Sequence, residues 1–260
     1  RWQTETTVER TALRRRAVVK KCIVQYWIQA DQYSQPDYNA LLKKSEEFDA
    51  NEFASRSASS FQAYADKYGH DFIRIEKKKL DFKHPTFERF DLWLDDTWWE
   101  KYDEIMYVDS DVFAMPDAPD VFLQYPKPGT LKVCDHPGFQ QAKEDDQIEH
   151  IYHGLLKECT LDQVRHYGFQ AGVFIITKEA KELMKPYIAK YQELNDHDGH
   201  ILLWATIKSG VPLTRMSELY NFKNAHMRGK PKVNFFHAAG HKKMTHFHSI
   251  NSFLIKNGIK

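Results

Sequence analysis

A chain of 260 residues with 42% hydrophobic residues is long enough to fill an α/β core, which excludes gross disorder. Its 37 Lys and Arg against 36 Asp and Glu leave a net charge of +1, so it is not a general nucleic-acid binder, which needs a Lys or Arg for each phosphate it neutralises. The basic segment from Arg14 to Lys21 reads as an exposed lead-in to an apolar, β-rich strand from Cys22 to Ile28. Pro36 and Asp37 suit the first turn of a helix running to Phe48. Phe61, Tyr64, Ala65 and Tyr68 form a helical stripe with Gly69 as its stop, and Asp71 to Ile75 reads as the next strand. Pro85 to Trp99 has helical spacing, with Phe87, Phe90, Leu94 and Trp98 on one side, and Ile105 to Val108 is a short buried strand. The polar stretch from Gln140 to Tyr167 reads as surface helix or lid. Leu131 to Cys134 and Gly172 to Thr177 are further strands, and Lys178 to Leu194 is a helix that turns Leu183, Met184, Tyr187, Ile188 and Tyr191 inward. Strands alternating with helices imply one α/β domain with a mostly parallel central sheet flanked by helices.

Several chemistries are excluded by their missing motifs. Neither a dinucleotide-binding G-x-G-x-x-G nor a P-loop is present, nor a G-x-S-x-G elbow or H-E-x-x-H. His237 and His241 have the spacing of two ligands on a helix, but Ala238 and Gly240 argue against a metalloprotease helix. Cys22, Cys134 and Cys159 are widely spaced without C-x-x-C and are expected as buried free thiols. No apolar run approaches the ~18 residues of a membrane span. With no signal core and no Asn-x-Ser/Thr sequon, a cytoplasmic location is expected; an anchor ahead of Arg1 would place the domain in the Golgi lumen instead.

The most informative segment is Tyr102 to Phe113, YDEIMYVDSDVF, where an apolar strand ends in Asp109-Ser110-Asp111. Ligands of open α/β sheets bind beyond the carboxyl ends of the strands. Two carboxylates at i and i+2 on extended backbone point to one side and can converge on a hard cation such as Mn²⁺ or Mg²⁺ that also binds substrate phosphates. An Asp-rich surface turn is the alternative; the buried strand ahead of it favours the metal.

This D-x-D after a Y-D-E-I-M-Y-V strand resembles that of the nucleotide-sugar glycosyltransferases of the GT-A fold, particularly family 8 enzymes of the glycogenin and galactinol synthase type. Further segments are similar in the same order, from about Cys22 to Lys243. Ala30-Asp31-Gln32-Tyr33 resembles N-D-x-Y, whose tyrosine stacks on uracil. Arg89 in Phe87-Glu-Arg-Phe90 stands where the family holds the nucleotide side. Phe169-Gln170-Ala171-Gly172-Val173 resembles F-N-A-G-V of the sugar pocket, with Gln170 for the usual Asn. Asp198-Gly-His-Ile-Leu202 is similar to D-Q-x-x-L, whose aspartate lies beside the donor sugar; Asp196 could take that part instead. Leu219 to Phe222 matches an L-x-x-x-N-type strand end. Phe236 to Lys243 fits H-x-x-G-x-x-K, where His237 would be the third metal ligand and Lys243 a diphosphate contact.

The resemblance implies a metal-dependent transferase that uses Mn²⁺ or Mg²⁺ and moves a sugar from a UDP-sugar to a carbohydrate or glycoconjugate acceptor with retention of configuration. Asp109, Asp111 and His237 would hold the metal. Ala30, Asp31, Tyr33, Arg89, Ser110, Gln170, Ala171, Gly172, Gly240 and Lys243 would contact the donor, and Asp198 or Asp196 would stand at the reacting carbon. Residues 20–135 would form the nucleotide-binding half and residues 136–260 the sugar and acceptor half. A nucleotidyltransferase acting on sugar phosphates and an inactive carbohydrate-binding relative are the alternatives; the first lacks its Gly-rich basic loop, since Gln29 to Pro36 has neither Gly nor Lys. The charge is also unevenly spread. Residues 91–120 hold ten acids and one base, whereas residues 219–260 hold eight Lys or Arg and no acid, a pattern suited to a metal diphosphate bound between them.

Overall fold

The computed structural model describes residues 19–28, 49–81, 84–135, 154–194, 196–223, 233–239 and 246–259; the helix expected from Pro36 to Phe48 lies outside them. Strand β1 (Lys21–Tyr26) buries Cys22, Ile23 and Val24 completely. Helix α1 (Ala50–Tyr68) begins where the Asp49 carboxylate accepts from the N–H groups of Asn51 and Glu52. It ends at Gly69, whose φ of 70° is left-handed and costs glycine little. Strand β2 (Asp71–Ile75) then pairs parallel to β1.

The single helix expected from Pro85 to Trp99 is instead three pieces: a 3₁₀ helix at Pro85–Phe90, then α2 (Asp91–Leu94) and α3 (Thr97–Lys101). Asp95 is the physical cause of the break between the last two. Its backbone turns extended, at φ −91° and ψ 104°, and its carboxylate accepts from both the N–H and the hydroxyl of Thr97. A local side-chain bond thereby replaces the next helical one. Trp93, Trp98 and Trp99 are buried as a result, while Leu94 is only partly covered.

Strand β3 (Glu104–Val108) pairs parallel to the other edge of β1, and β4 (Val112–Ala114) follows after a turn. After α4 (Val121–Gln124) come β5 (Leu131–Asp135), α5 (Leu161–Tyr167) and β6 (Phe169–Thr177). Helix α6 (Lys178–Ile188) is shorter than expected and leaves Leu183 47% exposed. Ala180, Met184 and Ile188 form its buried i, i+4, i+8 stripe, and Leu183 lies about 100° around the helix from them. Helix α7 (Asp198–Ser209) and β7 (Leu213–Met216) complete the main sheet, whose order is β2-β1-β3-β6-β5-β7.

Five of these six strands run the same way; β6 is antiparallel to both β3 and β5. Strands β8 (Phe222–Lys223) and β9 (Phe235–His237) join β4 in a second sheet of order β4-β9-β8, and α8 (Phe247–Lys256) follows. Alternation along the strands feeds two layers of core. Cys22, Val24, Ile105, Tyr107 and Phe174 pack with the tryptophans of α2 and α3 and with α6 and α7. Ile23, Met106, Val108, Val173 and Ile175 pack with α1 and with β4 of the small sheet. The three cysteines are buried free thiols, and no described helix is long and apolar enough to cross a membrane.

Candidate metal centre

The turn after β3 is clamped from three sides. The Asp109 N–H donates to the Gly172 carbonyl at 2.9 Å, the Val112 N–H donates to the Asp109 carbonyl at 3.1 Å, and the Ala238 N–H donates to the Asp111 carbonyl at 2.9 Å. From below, the buried Gln25 amide of β1 donates to the Asp109 carbonyl at 3.2 Å and to Ser57 Oγ of α1 at 2.9 Å, and Ser57 in turn donates to the Val112 carbonyl. Asp109 and Asp111 therefore converge through a tight turn, not through the extended alternation expected from their i, i+2 spacing. Tyr107 donates its phenolic proton to Asp109 Oδ1 at 2.5 Å. Burial above all pushes the Tyr107 pKa up, so this proton stays on the phenol.

The small sheet delivers the third member. His237 pairs with Val112 across β9 and β4, and its Nε2 lies 3.2 Å from Asp111 Oδ1 and 3.8 Å from Asp109 Oδ2. One ligand atom from each of Asp109, Asp111 and His237 lies within 4.8 Å of the others, the one such cluster of three among the described residues. The other ring nitrogen, Nδ1, sits 2.7 Å from Oδ1 of Asn221, whose own Nδ2 donates to the Gln170 carbonyl. Asn221 is fully buried. With its amide nitrogen committed, its oxygen can only accept, so His237 Nδ1 donates to it and Nε2 is the ring nitrogen turned to the carboxylates. Gly172 of β6 leaves the room this ring occupies: a Cβ there would lie 2.8 Å from His237 Nδ1, closer still to Cε1, and 2.9 Å from Asp109 Oδ2.

Two more features flank the cluster. Lys223 of β8 is paired with His237 in the strand register. Burial lowers its ammonium pKa, against the pull of Asp109 and Asp111. On the other flank Arg89, 6% exposed, ion-pairs with Asp198 at the start of α7, donates to the Ala171 carbonyl at 3.0 Å and lies 5.0 Å over the Tyr107 ring. Thr86 donates to the other Asp198 oxygen at 2.9 Å. Burial opposes the Arg89 charge, but Asp198, Tyr107 and Asp109 outweigh it and raise the guanidinium pKa.

The β5–β6 register jumps here: Val133 pairs with Phe174 but Cys134 with Gln170, so Ala171, Gly172 and Val173 bulge from that ladder toward the site. The Gln170 side chain, 5% exposed, donates to the Asp135 carbonyl at 3.0 Å, while its buried Oε1 has no hydrogen-bond partner among the described residues.

The structure thus gathers Asp109, Asp111, His237 and Gly172 in one cluster and Arg89, Ala171 and Asp198 in its neighbour, with Ser110 in the turn itself. Asp196 has a different surrounding. Its oxygens accept from the N–H groups of Leu155 and His197 and from the His200 ring, at 2.6, 2.7 and 2.8 Å, so it pins the 154–155 backbone to the start of α7. Ala30, Asp31, Tyr33, Gly240 and Lys243 lie outside the described residues. No motif in the sequence sets apart Gln25, Ser57, Tyr107 or Lys223, and Asn221 is legible there only as part of a strand end. A polar residue within an apolar strand, as at Gln25, is the one signal that could have pointed to the support beneath the turn.

A six-stranded, mostly parallel sheet with β6 reversed, flanked by helices, and a small second sheet carrying the histidine opposite the D-x-D turn constitute the GT-A fold. Solved structures share it. The chain is similar to a glycosyltransferase involved in the glycosylation of the major capsid of PBCV-1, at a TM-score of 0.53 and 11% identity, over 89% of this chain and 99% of that one. It is also similar to the bifunctional glycosyltransferase WbbM, at a TM-score of 0.52 and 13% identity, over 85% of this chain and 46% of that one, and so spans about half of that protein. No protein-family model and no curated protein sequence matches the chain. At these identities the likeness is one of fold.

Proposed function

We propose that the chain is a metal-dependent glycosyltransferase that takes a UDP-sugar as donor and a carbohydrate or glycoconjugate as acceptor. The observation that carries this reading is the Asp109, Asp111 and His237 cluster beyond the carboxyl end of β3. The donor set fits a divalent cation. Two carboxylate oxygens and one imidazole nitrogen suit Mn²⁺ best, with Mg²⁺ the harder alternative, and the Asn221 bond already holds His237 in the tautomer a ligand needs. An ion held there supplies positive charge beside the diphosphate as the bond to the sugar breaks.

The surrounding residues then have separable tasks. Asp198, held by Arg89 and Thr86, offers a positioned carboxylate that stabilises positive charge at the sugar carbon or orients its hydroxyls. This favours Asp198, whose partner Arg89 also reaches the Ala171 carbonyl and the Tyr107 ring beside the cluster, over Asp196, which holds the backbone of Leu155 and His197 instead. The unpartnered Gln170 Oε1 is an acceptor for a sugar hydroxyl, since a buried acceptor costs free energy until it is satisfied. Asp31 and Tyr33 contact the uridine, and Gly240 and Lys243 the diphosphate, by the family 8 resemblance, which also carries the expectation of retention.

Calorimetry of UDP binding with and without Mn²⁺ tests the reading, followed by hydrolysis of UDP-glucose, UDP-galactose and UDP-xylose. Mn²⁺ is expected to strengthen UDP binding in the wild-type protein but not in Asp111→Asn. Equal UDP affinity with and without Mn²⁺ in the wild type would overturn it.

A further inference from the structure

Among the described residues, the Asp-Asp-His cluster leaves one neighbouring cation, Lys223, unused. Residues paired in a parallel sheet project from the same face about 5 Å apart, and Lys223 pairs with His237. The Lys223 side chain therefore rises beside the imidazole that faces Asp109 and Asp111, whereas Phe222, one residue earlier, is buried in the core on the other side. Among the described residues the Lys223 ammonium makes no hydrogen bond or ion pair, and the charges acting on it are those of the two aspartates. A charge held partly out of water without a partner is costly and serves best where an anion arrives to meet it.

The charge count identifies that anion. The two carboxylates carry two negative charges, so a divalent ion held by them only brings that pair to neutrality. With Lys223 the loaded cluster is positive and presents N–H donors as well. We propose that Lys223 binds the diphosphate of the nucleotide donor, donating to phosphate oxygens from the strand face it shares with His237. This assignment rests on the metal–diphosphate reading of the site.

The competing role is that of a counter-ion to the aspartates alone. In that case removing the ammonium frees the carboxylates, Mn²⁺ binds more tightly, and UDP binds no worse. Calorimetry at saturating Mn²⁺, with UDP and uridine as separate probes, distinguishes the two. Lys223→Met is expected to weaken UDP binding about 10- to 100-fold, the range of a hydrogen bond to a charged group, and to leave uridine binding within about threefold. Lys223→Arg should retain most of the UDP affinity. Thermal melts check that each variant folds, and Lys223→Gln replaces Lys223→Met should the latter not fold. UDP affinity unchanged in the variant, or UDP and uridine weakened equally, overturns the assignment while the proposed function stands. Wild-type protein without Mn²⁺-dependent UDP binding overturns both.

Discussion

Gly172→Ala adds one methyl group at the point where β6 passes beneath the cluster. Gly172 is not among the glycines with positive φ, so its backbone accommodates alanine and the whole effect comes from the methyl. The added carbon would stand 2.8 Å from His237 Nδ1 and 2.9 Å from Asp109 Oδ2. An ordinary non-bonded contact is ~3.5–4.0 Å, so the imidazole must retreat by about 1 Å. That movement stretches the 2.7 Å bond to Asn221 and displaces Nε2 from the carboxylates. Metal–ligand distances tolerate only about 0.2 Å. Mn²⁺ affinity measured by calorimetry should therefore fall about 10- to 100-fold, as when the supporting shell of a metal site is disturbed. Unfolding in urea should show a loss of about 1–3 kcal/mol from overpacking. Gly199→Ala is the control. A Cβ there meets nothing within 4 Å, so Mn²⁺ binding should not change. A Gly172→Ala protein that binds Mn²⁺ as tightly as wild type would refute the close approach on which the site is built.

Asn221→Ala removes the acceptor that holds the His237 proton on Nδ1. Mn²⁺ affinity should drop roughly 10- to 100-fold, and stability by about 1–3 kcal/mol for the buried groups left unpaired; unchanged Mn²⁺ titrations would show that Asn221 does not set the tautomer. Asp196 supplies a pH test. Burial raises its pKa, but the N–H groups of Leu155 and His197 and the His200 ring lower it further, so the net shift is downward. Its stabilisation is thus full above the unfolded-state value of ~3.9 and is lost as pH falls through the depressed folded value. The Tm difference between wild type and Asp196→Asn should be largest near neutrality and shrink below about pH 4; a difference that grows on acidification would contradict the hydrogen bonds assigned to Asp196.

Much of the local structure was legible in the residues themselves. The β1 apolar run, the α1 stripe with its Gly69 stop, and Asp71–Ile75 all emerge where expected, because each depends on short-range periodicity and a single special backbone position. Periodicity failed where one polar side chain redirected the chain. Asp95 binds Thr97 and splits a helix that the spacing of the aromatic residues joined into one. Leu183 failed for another reason: it is apolar and near the buried stripe, but the stripe was already complete at Ala180, Met184 and Ile188.

By itself the sequence singled out the residues that the structure gathers into one cluster: an apolar strand ending in two aspartates, a distant histidine in a basic C-terminal stretch, and the glycine of Gln-Ala-Gly. Only the tertiary structure decided that these meet. Strand β6 reverses direction so that the Gly172 carbonyl receives the Asp109 N–H, and the second sheet sets His237 of β9 beside Val112 of β4. The same sheet brings Asn221 and Lys223 to His237, more than a dozen residues away in the chain. Strand direction and cross-sheet register depend on which partner edge buries the most surface and satisfies the most backbone hydrogen bonds. Those are properties of the assembled chain, and no short window of residues contains them.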